Sequence, residues 1–229
     1  MMSLAPGYRA LVIGASGGIG AAVADALSAD PRCGGLTRLS RSGDGLDLTD
    51  EETVAGAARA IDHDLDLVFC ATGALSIAGS RPEKAIREIS PAAMMEQFAL
   101  NALGPALVLK HFAPKLARQQ RALMLFLSAR VGSIGDNRLG GWISYRAAKA
   151  ALNQIVHTAA IEIARSRPDA VVAALHPGTV ATALTEAYAG NHARMRPDES
   201  AKAMLAVADG LRNEDSGSFL AYDGTPVPW

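Results

Sequence analysis

Between residues 8 and 27 the chain passes from an apolar run through a glycine-rich turn into a helical pattern. Tyr8-Arg-Ala-Leu-Val-Ile-Gly14 leads into Gly14-Ala-Ser-Gly-Gly-Ile-Gly20, and an alanine-rich stretch follows. Strand, glycine turn and helix in that order open a nucleotide-binding βαβ unit. Glycine lets the backbone approach a pyrophosphate closely. The helix N-terminus offers that anion unpaired N–H groups and a positive dipole end. Gly14, Gly18 and Gly20 are spaced G-x-x-x-G-x-G rather than G-x-G-x-x-G, so a merely tight connection is the alternative. The alternation continues to the C-terminus. Apolar runs at 35–40, 65–71, 121–128, 170–175 and 219–222 are separated by helical patterns, among them 50–61, 90–118, 142–165 and 197–211. This predicts a Rossmann-type doubly wound parallel sheet of about seven strands, with helices on both faces. No repeat or linker divides the 229 residues, so one domain over 1–229 is expected.

Composition narrows the function classes. Hydrophobic residues make up 49% of the chain and charged residues 20%, enough apolar material for a core. A net charge of −1, with lysines and arginines scattered, gives no basis for a nucleic-acid or membrane partner. Cys33 and Cys70 are too few for a disulfide framework, and no basic-then-apolar leader opens the chain, which points to the cytoplasm. No run approaches the ~18 apolar residues of a membrane span. No metal site is expected.

The richest chemistry lies at residues 128–149, where a strand ends, a loop with four glycines follows and a helix begins. Tyr145 and Lys149 are four apart and share one helix face, ~6 Å apart along the axis. An ammonium beside a phenol favours the phenolate, which brings a proton donor with an ordinary pKa near 10 closer to neutrality. Alone the pair is a weak signal, readable as a half-buried tyrosine and a solvated lysine. Asn101 sits inside a helical pattern, where asparagine either faces solvent or bonds something specific. After the second strand Ser40-Arg41 stands where an acidic residue would bind the ribose of NAD. Arginine suits a 2′-phosphate instead; an ordinary turn arginine is the alternative.

In this order, the glycine turn, Asn101, the serine loop, Tyr145-x-x-x-Lys149 and Pro177-Gly178 resemble the short-chain dehydrogenase/reductase family over nearly the whole chain. The stretches 131–153 and 222–229 look like its C-factor and sniffer-type carbonyl reductases. The resemblance implies an NADP(H)-dependent oxidoreductase, NAD being the other possible cofactor, acting on a small carbonyl or alcohol substrate. Tyr145 would exchange the proton, Lys149 would bind the nicotinamide ribose, and Asn101 would hold a water in the proton relay. The cofactor would meet Gly14, Ser16, Gly18, Ile19, Gly20, Arg41, Asp47, Leu48, Ala71 and Gly73, then Tyr145, Lys149, Pro177, Gly178, Val180 and Thr182. Trp142, Arg138 and residues 183–195 would line the substrate pocket. A homodimer or homotetramer is implied as well. Two positions depart from the pattern. Cys70-Ala71-Thr72-Gly73 replaces the usual Asn-Asn-Ala-Gly, and Ala129 stands where the family carries its catalytic serine. Ser133, twelve residues before Tyr145, is the expected substitute, with Ser128 the other candidate. These departures also admit a cofactor-binding signalling protein with little or no turnover on the same fold.

Overall fold

The computed structural model describes residues 1–77, 79–186 and 194–229. Six strands form one sheet: β1 (Tyr8–Ile13), β2 (Cys33–Leu39), β3 (Leu67–Cys70), β4 (Ala122–Leu127), β5 (Ala170–His176) and β6 (Phe219–Ala221). Their order is β2-β1-β3-β4-β5-β6, and every neighbouring pair is parallel. β1, β3 and β4 are buried along almost their whole length, as a sheet covered on both faces requires.

The helices are α1 (Gly18–Ser28), α2 (Arg41–Asp44), α3 (Glu51–Ala60), α4 (Pro91–Phe98), α5 (Gly104–Phe112), α6 (Ile143–Ala164), α7 (Ala183–Glu186) and α8 (Pro197–Gly210). α3, α5 and α6 bury Val54, Val108, Phe112, Leu152 and Val156 on one face of the sheet. α1 and α8 bury Val23, Leu27, Ala201 and Met204 on the other. Successive strand residues alternate between the two cores, as the period of a pleated strand dictates.

The sheet has six strands among the described residues rather than seven. After β2 the chain turns at once: Ser40 caps α2, and Gly45 takes a left-handed φ of 70°. Asp50 already caps α3, accepting from the Glu52 N–H. Residues 46–48 are too few to add an outer strand, which leaves β2 at the edge.

The helical region expected over 90–118 is continuous but irregular. Between α4 and α5, Ala99–Leu103 forms a π turn with Asn101 inside it. Pro105 lacks the N–H that an α-helix needs there and crowds the carbonyl four residues back, so the widened turn has a local cause. The run Pro91–Lys115 has 25 residues and a mean hydropathy of 1.2, which reaches the length and composition of a membrane span although no such run was expected. It nevertheless carries the buried polar side chains Gln97 and Asn101, both hydrogen-bonded within the protein. A helix committed to internal polar contacts reads as core, not as a lipid-facing span.

Candidate active site

The C-terminal ends of β1, β3, β4 and β5 open into one cavity of about 770 Å³. One wall is the glycine turn. Gly14 has a φ of 84°, and a Cβ on Gly20 would fall 2.1 Å from the Gly14 carbonyl oxygen, so α1 can start only if both lack side chains. Gly17 caps α1 with no side-chain bond, and Gly17, Gly18 and Ile19 line the cavity. The first-turn N–H groups thus face an open cradle built of backbone, a fit for the pyrophosphate of a dinucleotide. Ala71 and Gly73 continue the wall, and Pro177, Gly178, Val180 and Thr182 close it opposite.

α6 places the reactive pair. Tyr145 and Lys149 are both buried and both line the cavity, with the Lys149 Nζ 5.9 Å from the Tyr145 ring centroid. Lys149 donates to the Leu127 carbonyl at 2.9 Å, at the end of β4. Burial holds its pKa down at about 8. Burial pushes the Tyr145 phenol up from its ordinary value, so desolvation outweighs the expected pull of the ammonium.

Asn101 is fully buried and does not reach the cavity with a free amide. Its Oδ1 accepts from the Ala74 N–H at 3.1 Å, and its Nδ2 donates to the Ala74 carbonyl and to Gln97 Oε1. A Cβ on Gly73 (φ 146°) would lie 2.9 Å from Asn101 Oδ1 and 3.0 Å from Lys149 Nζ. The amide therefore braces the loop after β3, in the place where the usual asparagines are missing, and brings that loop against Lys149.

The serine expectation is corrected by the geometry. Ser133 is buried away from the cavity lining; it donates to the Pro228 carbonyl and accepts from the Asp136 N–H at 3.0 Å. One of these bonds ties the loop to the C-terminal segment, and the other braces the loop itself. Ser128 does line the cavity, but its Oγ donates to Asn153 Oδ1 at 2.6 Å. Ala129 lines the cavity with a methyl group where the resemblance implies a hydroxyl.

The residues expected at the adenosine end do not line that cavity. Ser16 and Arg41 are exposed, and Leu48 is buried against Gly104. Asp47 accepts from the Thr49 N–H and hydroxyl, and those bonds, with Arg41 nearby, hold its carboxyl below the usual range. Of the expected substrate-side residues, Trp142, Arg138, Ala183 and Thr185 line the cavity, while 187–193 lie outside the described residues.

Three residues were not singled out by the sequence. Glu83 accepts from the Ser144 N–H at 3.3 Å and from its hydroxyl, capping α6 from a distant segment. Arg130 lines the cavity and donates to Asp136 at 3.2 Å. His176, at the end of β5, accepts the Arg130 N–H on Nδ1 at 3.2 Å, and burial lowers its pKa to about 4. The only hint for His176 was its place directly before Pro177-Gly178.

Comparison with known proteins gives the same picture. The short chain dehydrogenase family profile matches residues 42–192. A Rhodococcus sp. (strain AD45) protein named 1-hydroxy-2-glutathionyl-2-methyl-3-butene dehydrogenase is 34% identical over 190 residues, 81% of this chain and 79% of that one. The C-signal protein of Myxococcus xanthus is 37% identical over 146 residues, 63% of this chain and 84% of that one. A solved Burkholderia multivorans protein, described as a short-chain dehydrogenase/reductase with bound NADP, is 28% identical with a TM-score of 0.79, covering 98% of this chain and 100% of that one. With profile, relatives, a six-stranded parallel sheet and Tyr145 and Lys149 of α6 in one cavity, the chain belongs to the short-chain dehydrogenase/reductase family.

Proposed function

We propose that the chain is an NADP(H)-dependent oxidoreductase that reduces a small carbonyl compound or oxidises the matching alcohol. The observation that carries this is a single cavity running from the open N-terminus of α1 past Lys149 and Tyr145 to Pro177-Gly178. NADPH, when bound, supplies the hydride. The first turn of α1 holds the pyrophosphate through backbone N–H groups. Arg41, exposed at the start of α2 and close enough to Asp47 to lower its pKa, reaches the 2′-phosphate. The bound NADP of the Burkholderia relative supports that choice over NAD. Lys149 keeps one N–H on Leu127 and turns the rest toward the nicotinamide ribose. The Tyr145 hydroxyl gives its proton to the carbonyl oxygen as negative charge develops there. With Ala129 in place and the Ser128 hydroxyl engaged, the phenol does this without a serine beside it.

The signalling alternative is less well supported, because Tyr145 and Lys149 are both present and both face the cavity. Two further assignments rest on less. Exposed Ile161 on α6, with Met95 on α4 and Leu103 in the π turn, supports pairing of these helices in a homodimer or homotetramer. Cys33 and Cys70 are both free thiols, in keeping with a reducing cytoplasm. NADPH consumption with a panel of aldehydes, ketones and diketones tests the central reading. Turnover in the parent and a loss of at least about a hundredfold in Tyr145→Phe, with NADPH affinity within a few-fold, is the expected result. Equal rates in the two proteins remove Tyr145 from the mechanism.

A further inference from the structure

The substrate side of the cavity carries an excess of positive charge that the reduction of a neutral carbonyl does not use. Its ionisable lining residues beyond Tyr145 and Lys149, among those described, are Arg130, Asp136, Arg138, Arg146 and the neutral His176. Three guanidinium groups face one carboxylate, in a protein whose net charge is −1. The three are not equivalent. Arg130 is compensated: it pairs with Asp136 at 3.2 Å. Arg146 is fixed, donating to the carbonyls of Gly141 at 2.9 Å, Gly140 at 3.0 Å and Val131 at 3.3 Å. It has no carboxylate partner among the described residues, and burial already disfavours its charge. Arg138 is exposed on the same loop, and among the described residues its one hydrogen bond is a 3.3 Å contact to the carbonyl of the adjacent Asn137. Among the described residues nothing else takes up its remaining donors.

Apolar side chains line the same cavity as Arg138. Leu139, 93% exposed, follows it directly and lines the cavity, as do Trp142 and Val131. A guanidinium fork in a cavity that also carries an exposed leucine and a half-buried tryptophan suits a ligand with an apolar body and an anionic end. Arg146 behind it adds to the same positive field without moving. We infer that the substrate is an apolar carbonyl compound carrying a carboxylate, whose anionic end binds Arg138 at the cavity mouth while its carbonyl meets Tyr145. This deepens the oxidoreductase reading and rests on it.

The test compares charged acids with neutral analogues that add one methyl group: para-carboxybenzaldehyde and succinic semialdehyde, each against its methyl ester, with NADPH. The acids should exceed their esters in kcat/KM by about ten- to a hundredfold, the worth of one charge-assisted pairing. The preference should shrink as ionic strength rises. In Arg138→Gln the acid-to-ester ratio should fall toward one, and in Arg138→Glu it should invert. Esters turned over as well as acids by the parent, or a ratio untouched in Arg138→Gln, would overturn the inference while leaving the oxidoreductase reading intact. If no carbonyl is reduced, that reading fails, and binding still decides the anion site. Para-toluate, in the presence of NADP, should then raise the melting temperature more than methyl para-toluate, and Arg138→Gln should remove the difference. No difference in the parent overturns the inference.

Discussion

A hydroxyl contributes to catalysis only if it is free to face the reacting oxygen. Ser133 holds the Pro228 carbonyl and the Asp136 N–H, so its truncation acts on the loop rather than on the chemistry. Ser133→Ala should destabilise the protein by about 1–3 kcal/mol, the cost of leaving buried groups unpaired. Its kcat per folded molecule should change by no more than a few-fold. Urea unfolding together with steady-state kinetics checks both halves, and a hundredfold kinetic loss at unchanged stability would return Ser133 to the mechanism. In the proposed mechanism Lys149 sets the pH dependence of reduction. Tyr145 must be protonated to donate, and burial raises its pKa, so it stays protonated through ordinary assay conditions. Lys149 must be charged to hold a ribose, and its lowered pKa of about 8 means that charge is lost as pH rises through that value. kcat/KM for reduction, which reports the free enzyme, should therefore be flat below pH 7 and fall above about 8. A limb that stays flat to pH 10 would show Lys149 is not the titrating group.

α6 has no cap of its own. Trp142 precedes it at a φ of 53°, the one non-glycine residue with positive φ among those described, and offers no side-chain bond to the helix. The cap comes from Glu83, whose carboxylate accepts from Ser144 and whose carbonyl accepts the Trp142 N–H. A negative group over a helix N-terminus is favourable, and here it also holds a left-handed corner three residues before Tyr145. Glu83→Ala should lower stability by about 1–3 kcal/mol, or about 2–4 °C of Tm per kcal/mol. It should also lower kcat more than NADPH affinity, because the first turn of α6 carries the phenol. Calorimetry and kinetics on Glu83→Ala and Ser144→Ala test the coupling. If the double variant loses the sum of the two single effects, the two residues do not act together.

At the scale of the whole molecule, β4 and β5 meet the C-terminal segment at His176. Buried there, with Arg130 close by, the imidazole resists protonation until about pH 4, whereas an unfolded histidine protonates near 6.5. Between those values the unfolded chain binds more protons, so stability falls as pH drops through the window and is unaffected by this group above it. Tm measured from pH 7 to 4 should decline less steeply in His176→Ala than in the parent. Parallel curves would assign the acid sensitivity elsewhere.

Alternating apolar runs and helical patterns determined the parallel sheet from sequence alone, and the glycine turn marked where α1 begins. The four-residue spacing of Tyr145 and Lys149 put both side chains in one cavity, because a helix converts spacing directly into a shared face. The strand count, the role of Ser133 and the external cap from Glu83 were decided only in three dimensions. Ser133 lies 95 residues from Pro228 and Glu83 61 from Ser144, separations over which no local pattern reports a contact. Whether a buried hydroxyl faces a cavity or a neighbouring carbonyl depends on how distant segments pack, and local periodicity carries no record of that packing.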